Sequence, residues 1–225
     1  MGQAMGLAAP VMLAYVSIGI PCGVMEAQVG FTPLTAFLFS GTYYSGAGQF
    51  MVPNLWMAGA SLFSIVLSVS FVTTRQLLYS TAFAPYLAGE GRMRTLGFAA
   101  LVTDETFGVN LDRYASGEGW DSTRAIVVNV ACMLSWALAN ALGAALGSVV
   151  DMPIDVLSFG MTAIFICLLM GQPASRTTAV VAGCAAAGVA LCKLLGWGGV
   201  SIFVGAVLGV VCGVLFEEGT GHDVA

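Results

Sequence analysis

The sequence predicts an all-α, polytopic membrane protein, and three observations carry that prediction. Hydrophobic residues make up 58% of the 225 and charged residues only 8%, against roughly 25% charged in a soluble domain. Mean hydropathy is +0.92, and seven Lys/Arg with twelve Asp/Glu cannot cover the surface of a 23.1 kDa particle in water. The apolar residues also come in long runs closed by Gly, Pro or charge, each close to the roughly 20 residues that a helix needs to cross a bilayer. That length allows seven to eight spans in a single transmembrane domain over residues 1–225 and leaves no room for a soluble catalytic domain.

Eight runs are predicted as spans: 5–26, 34–56, 60–83, 95–111, 124–149, 155–171, 177–195 and 198–216. The first has no Lys or Arg ahead of it and leads straight into the second, which marks it as a span rather than a cleaved signal peptide. It contains Gly19-Ile-Pro-Cys-Gly23, where Pro21 removes a backbone donor and crowds the preceding turn. Glu26 closes it, and a membrane-interface position is expected there. The second contains Tyr43-Tyr-Ser-Gly-Ala-Gly-Gln-Phe50, with two glycines and Gln49 at membrane depth. Discontinuous helices are therefore expected near Gly19–Gly23 and near Tyr43–Phe50, because backbone left unpaired in hydrocarbon survives only against protein or a water-filled cavity.

The third run carries Arg75, with Tyr79 one turn on along the same face. The fourth puts the pair Asp104-Glu105 near its middle. In the fifth, Asn129, Trp136, Asn140, Gly143 and Gly147 recur at helical spacing and form one stripe. Its Gly143-x-x-x-Gly147 end fits close helix approach, as do Gly205, Gly209 and Gly213 in the last run; packing inside the bundle and association with a second membrane subunit both fit these glycines. The tail 217–225 is acidic, Gly-rich and expected to be flexible.

Several functions are excluded at this level. A net charge of -5 and a pI near 4.6 leave no basic surface for nucleic acid. The six cysteines lie in apolar stretches without C-x-x-C spacing and read as small core residues. His222, in the tail, is the single histidine, so Ser45 has no intramembrane base, no metal or other cofactor is expected, and the chain is not an enzyme. No repeated polar motif suggests a pore. Lys/Arg in the predicted loops divide three to each side, Arg113, Arg124 and Arg176 against Arg92, Arg94 and Lys193, so the positive-inside rule assigns no orientation.

A transporter remains, and its site residues follow from depth and charge. A charge at a helix centre costs about 2.5–3.5 kcal/mol on insertion scales and normally faces the bundle interior. Arg75 is expected to pair with Asp104 or Glu105, leaving the other carboxylate to couple transport to a proton or to meet a substrate ammonium group. Broken backbone at mid-membrane presents free N–H groups to a substrate carboxylate. The candidate substrate-binding set is therefore Tyr43, Tyr44, Ser45, Gly46, Gly48, Gln49, Arg75 and Tyr79. A non-transporting assembly or receptor subunit and a channel-like facilitator are the alternatives.

Five strings, in this order and spacing, carry a family resemblance: Gly19 to Gly23, Phe31-Thr-Pro-Leu, Tyr43 with Ser45-Gly-Ala-Gly-Gln-Phe50, Arg75-Gln-Leu-Leu-Tyr-Ser80, and Thr103-Asp-Glu-Thr-Phe107. Over roughly residues 5–215 the chain resembles the AzlC family, the large subunit of branched-chain amino acid exporters of the LIV-E type. Members carry similar Tyr-Ala-Gly-Ala-Ser-Gln-Phe, Arg-His-x-Leu-Tyr and Thr-Asp-Glu-x-Phe motifs. The resemblance implies a multi-pass permease in the cytoplasmic (inner) membrane of a prokaryote. It also implies a small AzlD-type membrane partner and export of leucine, isoleucine, valine and similar apolar amino acids. Two departures stand out: Gln76 replaces the motif histidine, and Gly48 replaces the motif serine. Without that imidazole, proton coupling rests on Asp104, Glu105 or Glu26.

Overall fold

The computed structural model describes residues 1–117, 119–147, 175–196 and 201–220, together with the isolated positions 149, 159, 162, 166 and 170. Every element among them is helical: α1 Gly2–Gln28, α2 Pro33–Thr42, α3 Gly46–Met57, α4 Leu62–Ala82, α5 Arg92–Ala100, α6 Asp104–Ala115, α7 Ser122–Gly147, α8 Arg176–Leu194 and α9 Ser201–Thr220. Four of them (α1, α4, α7 and α8) are long and apolar enough to cross a bilayer. The predicted span 155–171 falls outside the described residues apart from the isolated positions, and Cys167 and His222 fall outside them as well. The tail is helical at its start, since α9 continues to Thr220.

Two of the predicted spans are each a pair of half-helices. The run 34–56 divides into α2 and α3 around Tyr43–Ser45, as expected. The run 95–111 divides into α5 and α6 around Leu101–Thr103, which was expected to be continuous. Asp104 thus opens a helix instead of sitting within one. Hydroxyl caps place both breaks. Ser45 Oγ accepts from the Gly48 amide at 3.3 Å, and Thr103 with Thr106 forms a reciprocal capping box like that of Thr32 with Thr35. Each cap satisfies amides that the start of a helix leaves unpaired. The chain therefore twice follows a long helix with a broken one: α1 then α2/α3, α4 then α5/α6.

The other expected break is corrected. α1 runs unbroken through Gly19–Gly23, with Pro10 and Pro21 inside it. A proline in a membrane helix is tolerated where neighbouring helices re-satisfy the freed backbone. Here the flanking glycines let α7 come close: a Cβ at Gly19 would lie 2.8 Å from Ala139 Cβ, and one at Gly23 would fall 2.7 Å from the Asn140 carbonyl carbon. The stripe on α7 is the reciprocal surface. Gly143 faces the Ile20 backbone and Gly147 faces Val24 and Ala27, while Asn129, Trp136 and Asn140 are buried.

α8 and α9 pack as a second close pair, with Gly205, Gly209 and Gly213 of α9 against Val189, Ala185 and Val181 of α8. All five candidate packing glycines thus lie within helix pairs of this chain. α2 packs on α7, and α3 packs on α4. Cys22, Cys132 and Cys192 are buried, and Cys184 and Cys212 are half-buried, all with free thiols. Outside the spans, Glu90 accepts from Ser122 Oγ at 2.5 Å and pairs with Arg94 at 3.3 Å, joining the α4–α5 loop to the start of α7. The Ser122 hydrogen bond and then the Arg94 charge hold its carboxyl below the usual carboxylate range.

Candidate functional site

The two capped breaks meet at one pocket. Its wall contains Ser45, Gly46 and Ala47 from the start of α3 and Thr103, Asp104 and Glu105 from the start of α6. Tyr15 and Ile18 of α1, Arg75 and Gln76 of α4, Trp136 of α7, and Tyr44 with Phe50 complete it. The cavity volume is about 60 Å³, enough to admit water-sized molecules.

Arg75 and Asp104 form the ion pair expected for one of the two carboxylates, Nη2 to Oδ2 at 2.7 Å. Tyr79 Oη donates to the other oxygen of Asp104 at 2.5 Å, and its ring stacks on Phe107 at 4.6 Å between centroids. Asp104 is thus held from α4 by a cation and a phenol together. Glu105 has a neutral partner, Tyr15 Oη, which donates to it at 2.6 Å and lies 2.7 Å from Thr103 Oγ1. Adjacent helix residues diverge by about 100°, which accounts for this division. Asp104 turns to α4 and Glu105 to α1.

The two helix starts differ in charge. α6 carries Asp104 and Glu105 in its first turn, whereas α3 has no acidic residue there. A helix N-terminus bears roughly half a positive charge. Carboxylates of the chain already offset it at α6, and at α3 it stays available to an anion. One pocket therefore presents a bare positive helix end with the Arg75 guanidinium nearby, and a carboxylate, Glu105, without a cationic partner among the described residues.

Of the eight substrate-binding candidates, Tyr44, Ser45, Gly46 and Arg75 line this pocket. Tyr79 reaches it through Asp104. Tyr43 turns away, stacking on Phe39 at 5.5 Å and lining an outer groove with Ser70 and Thr73. Gly48 lies beneath the pocket, where a Cβ would be 2.9 Å from Ser45 Oγ and from Tyr43 Cζ. Neither Gly46 nor Gly48 has a positive φ, since both lie in the first turn of a right-handed helix; space, not backbone hand, sets the need for glycine, and only at Gly48.

Gln49 is fully buried behind the pocket wall. It accepts from Trp136 Nε1 at 2.5 Å and donates to Ser40 Oγ at 2.8 Å and to Glu26 Oε1 at 3.0 Å. Glu26 is therefore not an interfacial residue: it is completely buried, because α1 extends past it to Gln28. A separate buried chain links Trp120 through Asn110 to Asn129.

Tyr15, Thr103 and Trp136 are pocket residues that the reading of depth and charge passed over. Trp136 belongs to the α7 stripe, and two signals mark the others. Tyr15 is a lone phenol in the first apolar run, and the spacing Thr103-x-x-Thr106 repeats Thr32-x-x-Thr35, a helix-start pattern.

The description "AzlC protein" fits residues 10–150, a region that holds both breaks and the whole pocket. The chain belongs to the AzlC family. Among members, the inner membrane protein YgaZ of Escherichia coli (strain K12) is 27% identical over 216 residues, spanning 92% of this chain and 84% of its own length. An uncharacterized membrane protein of Helicobacter pylori (strain J99 / ATCC 700824) is 29% identical over 209 residues, 92% of this chain and 91% of its own. The branched-chain amino acid transport protein AzlC of Bacillus subtilis (strain 168) is 23% identical over 211 residues, 92% of this chain and 80% of its own. No solved structure matches. Within this AzlC-family chain, three of the five strings, those at Tyr43–Phe50, Arg75–Ser80 and Thr103–Phe107, build the two breaks and the Arg75–Asp104 pair.

Proposed function

We propose that this AzlC-family protein is the large subunit of a secondary transporter. It exports branched-chain or similar apolar amino acids across the cytoplasmic membrane, is driven by a proton gradient and works with a small AzlD-type membrane subunit. The observation that carries the reading is the charge pattern of the pocket, which matches a zwitterion. The bare start of α3 at Gly46 and Ala47, with Arg75 nearby, suits a carboxylate. Glu105 suits an ammonium group, and Ile18, Phe50 and Trp136 give an apolar side chain somewhere to lie. The name of the Bacillus subtilis relative supports the substrate class. In this reading the helices around the pocket part for loading and release, as alternating access does.

Labelled leucine efflux from cells expressing this chain, with and without the partner and with and without a proton gradient, tests the reading. Gradient-dependent efflux is expected when both chains are present. Efflux that depends on the partner alone, with this chain dispensable, would assign it an assembly role. Arg75→Gln is expected to abolish efflux, and Arg75→Lys to restore little, because an ammonium cannot reproduce the fork geometry of guanidinium.

A further inference from the structure

Behind the pocket lies a titratable group that the binding reading does not use. Glu26 is completely buried, and its Oε2 has no hydrogen-bond partner. Oε1 accepts from Gln49 Nε2 at 3.0 Å and faces the Cys22 thiol at 3.9 Å. The groups turned towards it are Cys22 on its own helix and Gln49 from α3, with Ser40 of α2 and Trp136 of α7 each one hydrogen bond further on. None carries a charge, and among the described residues Glu26 is in no ion pair. Ionised, it would be a buried charge with one amide and a thiol against the cost of desolvation; such a charge persists only when paired. Protonated, it is neutral, and its burial costs far less than that of the charge.

The placement gives that proton a consequence. Glu26 lies eight residues beyond Ile18 on α1, roughly 12 Å along the helix at ~1.5 Å per residue, towards the end of α1 that enters the α1–α2 loop. Gln49 joins it to the pocket: one end of its amide holds Glu26 and the other accepts from Trp136, whose ring forms part of the pocket wall and meets Tyr15 edge-on at 5.5 Å. An ionised Glu26 grips the amide nitrogen with a full charge and a protonated one grips it weakly. The orientation of Gln49, and with it the seat of Trp136, thus follows the protonation of Glu26.

We infer that Glu26 is the proton-binding site of this protein, with Gln49 as the positioning residue that links its occupancy to the pocket, while Arg75, Asp104 and Glu105 serve the substrate. The inference rests on the transporter reading for its consequence, but its chemistry can be tested without transport. In infrared difference spectra of the purified full-length protein between neutral and acidic pH, a protonated carboxylic acid carbonyl band is expected. It should be absent from Glu26→Gln and displaced in Cys22→Ala, which keeps the carboxyl and removes a neighbouring donor. A band that persists in Glu26→Gln, or that Cys22→Ala leaves unmoved, belongs to another carboxyl and overturns the inference. So does a wild-type protein with no such band.

In proteoliposomes holding both this chain and its small partner, Glu26→Gln is expected to keep leucine counterflow and lose proton-driven efflux down to the level of protein-free vesicles. Gln49→Leu is expected to keep the infrared band and lose the drive. Undiminished proton-driven efflux by Glu26→Gln, or a wild type driven by sodium in place of protons, overturns the assignment. A wild type that moves no apolar amino acid while the band still follows Glu26 defeats the transporter reading and leaves the proton site standing.

Discussion

Gly19–Gly23 and Tyr43–Gly48 look alike as strings, both rich in glycine, both inside an apolar run. One is uninterrupted helix and the other is a break. Pro21 costs α1 a single backbone donor, and the glycines beside it are occupied by α7, so the helix continues and gains close packing. At Tyr43–Ser45 nothing forbids a helix as strongly as proline does, yet Ser45 offers its hydroxyl to the Gly48 amide and starts a new one. Thr103 does the same for α6. Inside the two divided spans the helix breaks where a side chain caps the next one, whereas in α1 the residues that merely disfavour helix are absorbed by packing.

Substitutions can break that contrast, and the packed segment should respond most. Gly23→Ala drives a Cβ into the Asn140 carbonyl and within 2.8 Å of the Ala144 amide nitrogen; backbone cannot yield there. A loss of about 3 kcal/mol or more is expected, read as a collapse in thermal stability and in monodisperse yield from detergent.

At the broken segment, Gly48→Ala must displace the Tyr43 ring, a side chain with room in the outer groove. It is expected to cost about 1–3 kcal/mol, and the additional change Tyr43→Phe, which removes the crowding hydroxyl, should recover part of it in the same melting assay. A Gly48→Ala protein as unstable as Gly23→Ala would mean that the break is packed as rigidly as α1.

The caps come next. Ser45→Ala and Thr103→Ala should each cost about 0.5–2 kcal/mol. Thr103→Ala should cost the more of the two, since Thr103 also meets Tyr15 Oη at 2.7 Å. Faster amide hydrogen exchange confined to the first turn of α3 or α6 is the local signature. Equal exchange in mutant and wild type would show that the breaks do not depend on their caps.

The smallest effect is expected at Gly46, where a Cβ would touch only Trp136 at 3.7 Å. Gly46→Ala should leave stability within about 0.5 kcal/mol while lowering apparent affinity for the largest substrates in the efflux assay, because the methyl group projects against the pocket wall.

What was legible in the sequence was whatever depends on composition and local period. Too few charges for a water-facing surface fixed the all-α membrane class. Runs of spanning length located α1, α4, α7, α8 and α9 to within a few residues, and the α7 stripe followed from helical spacing alone. The pairing of Arg75 with one of two adjacent carboxylates was likewise a matter of charge sign and helix geometry.

Tertiary structure decided the rest. Whether Pro21 ends a helix depends on what α7 places beside it, and whether 95–111 is one span or two depends on a threonine cap that hydropathy averages away. Burial of Glu26 depends on α1, α2, α3 and α7 closing around one turn, which no single stretch of sequence records. The choice of Asp104 over Glu105 as the partner of Arg75 arises only once α4 and α1 stand on opposite sides of the start of α6. Composition and period are properties of a segment, whereas a counter-charge, a cap or a close approach is a relation between segments and exists only when they have packed.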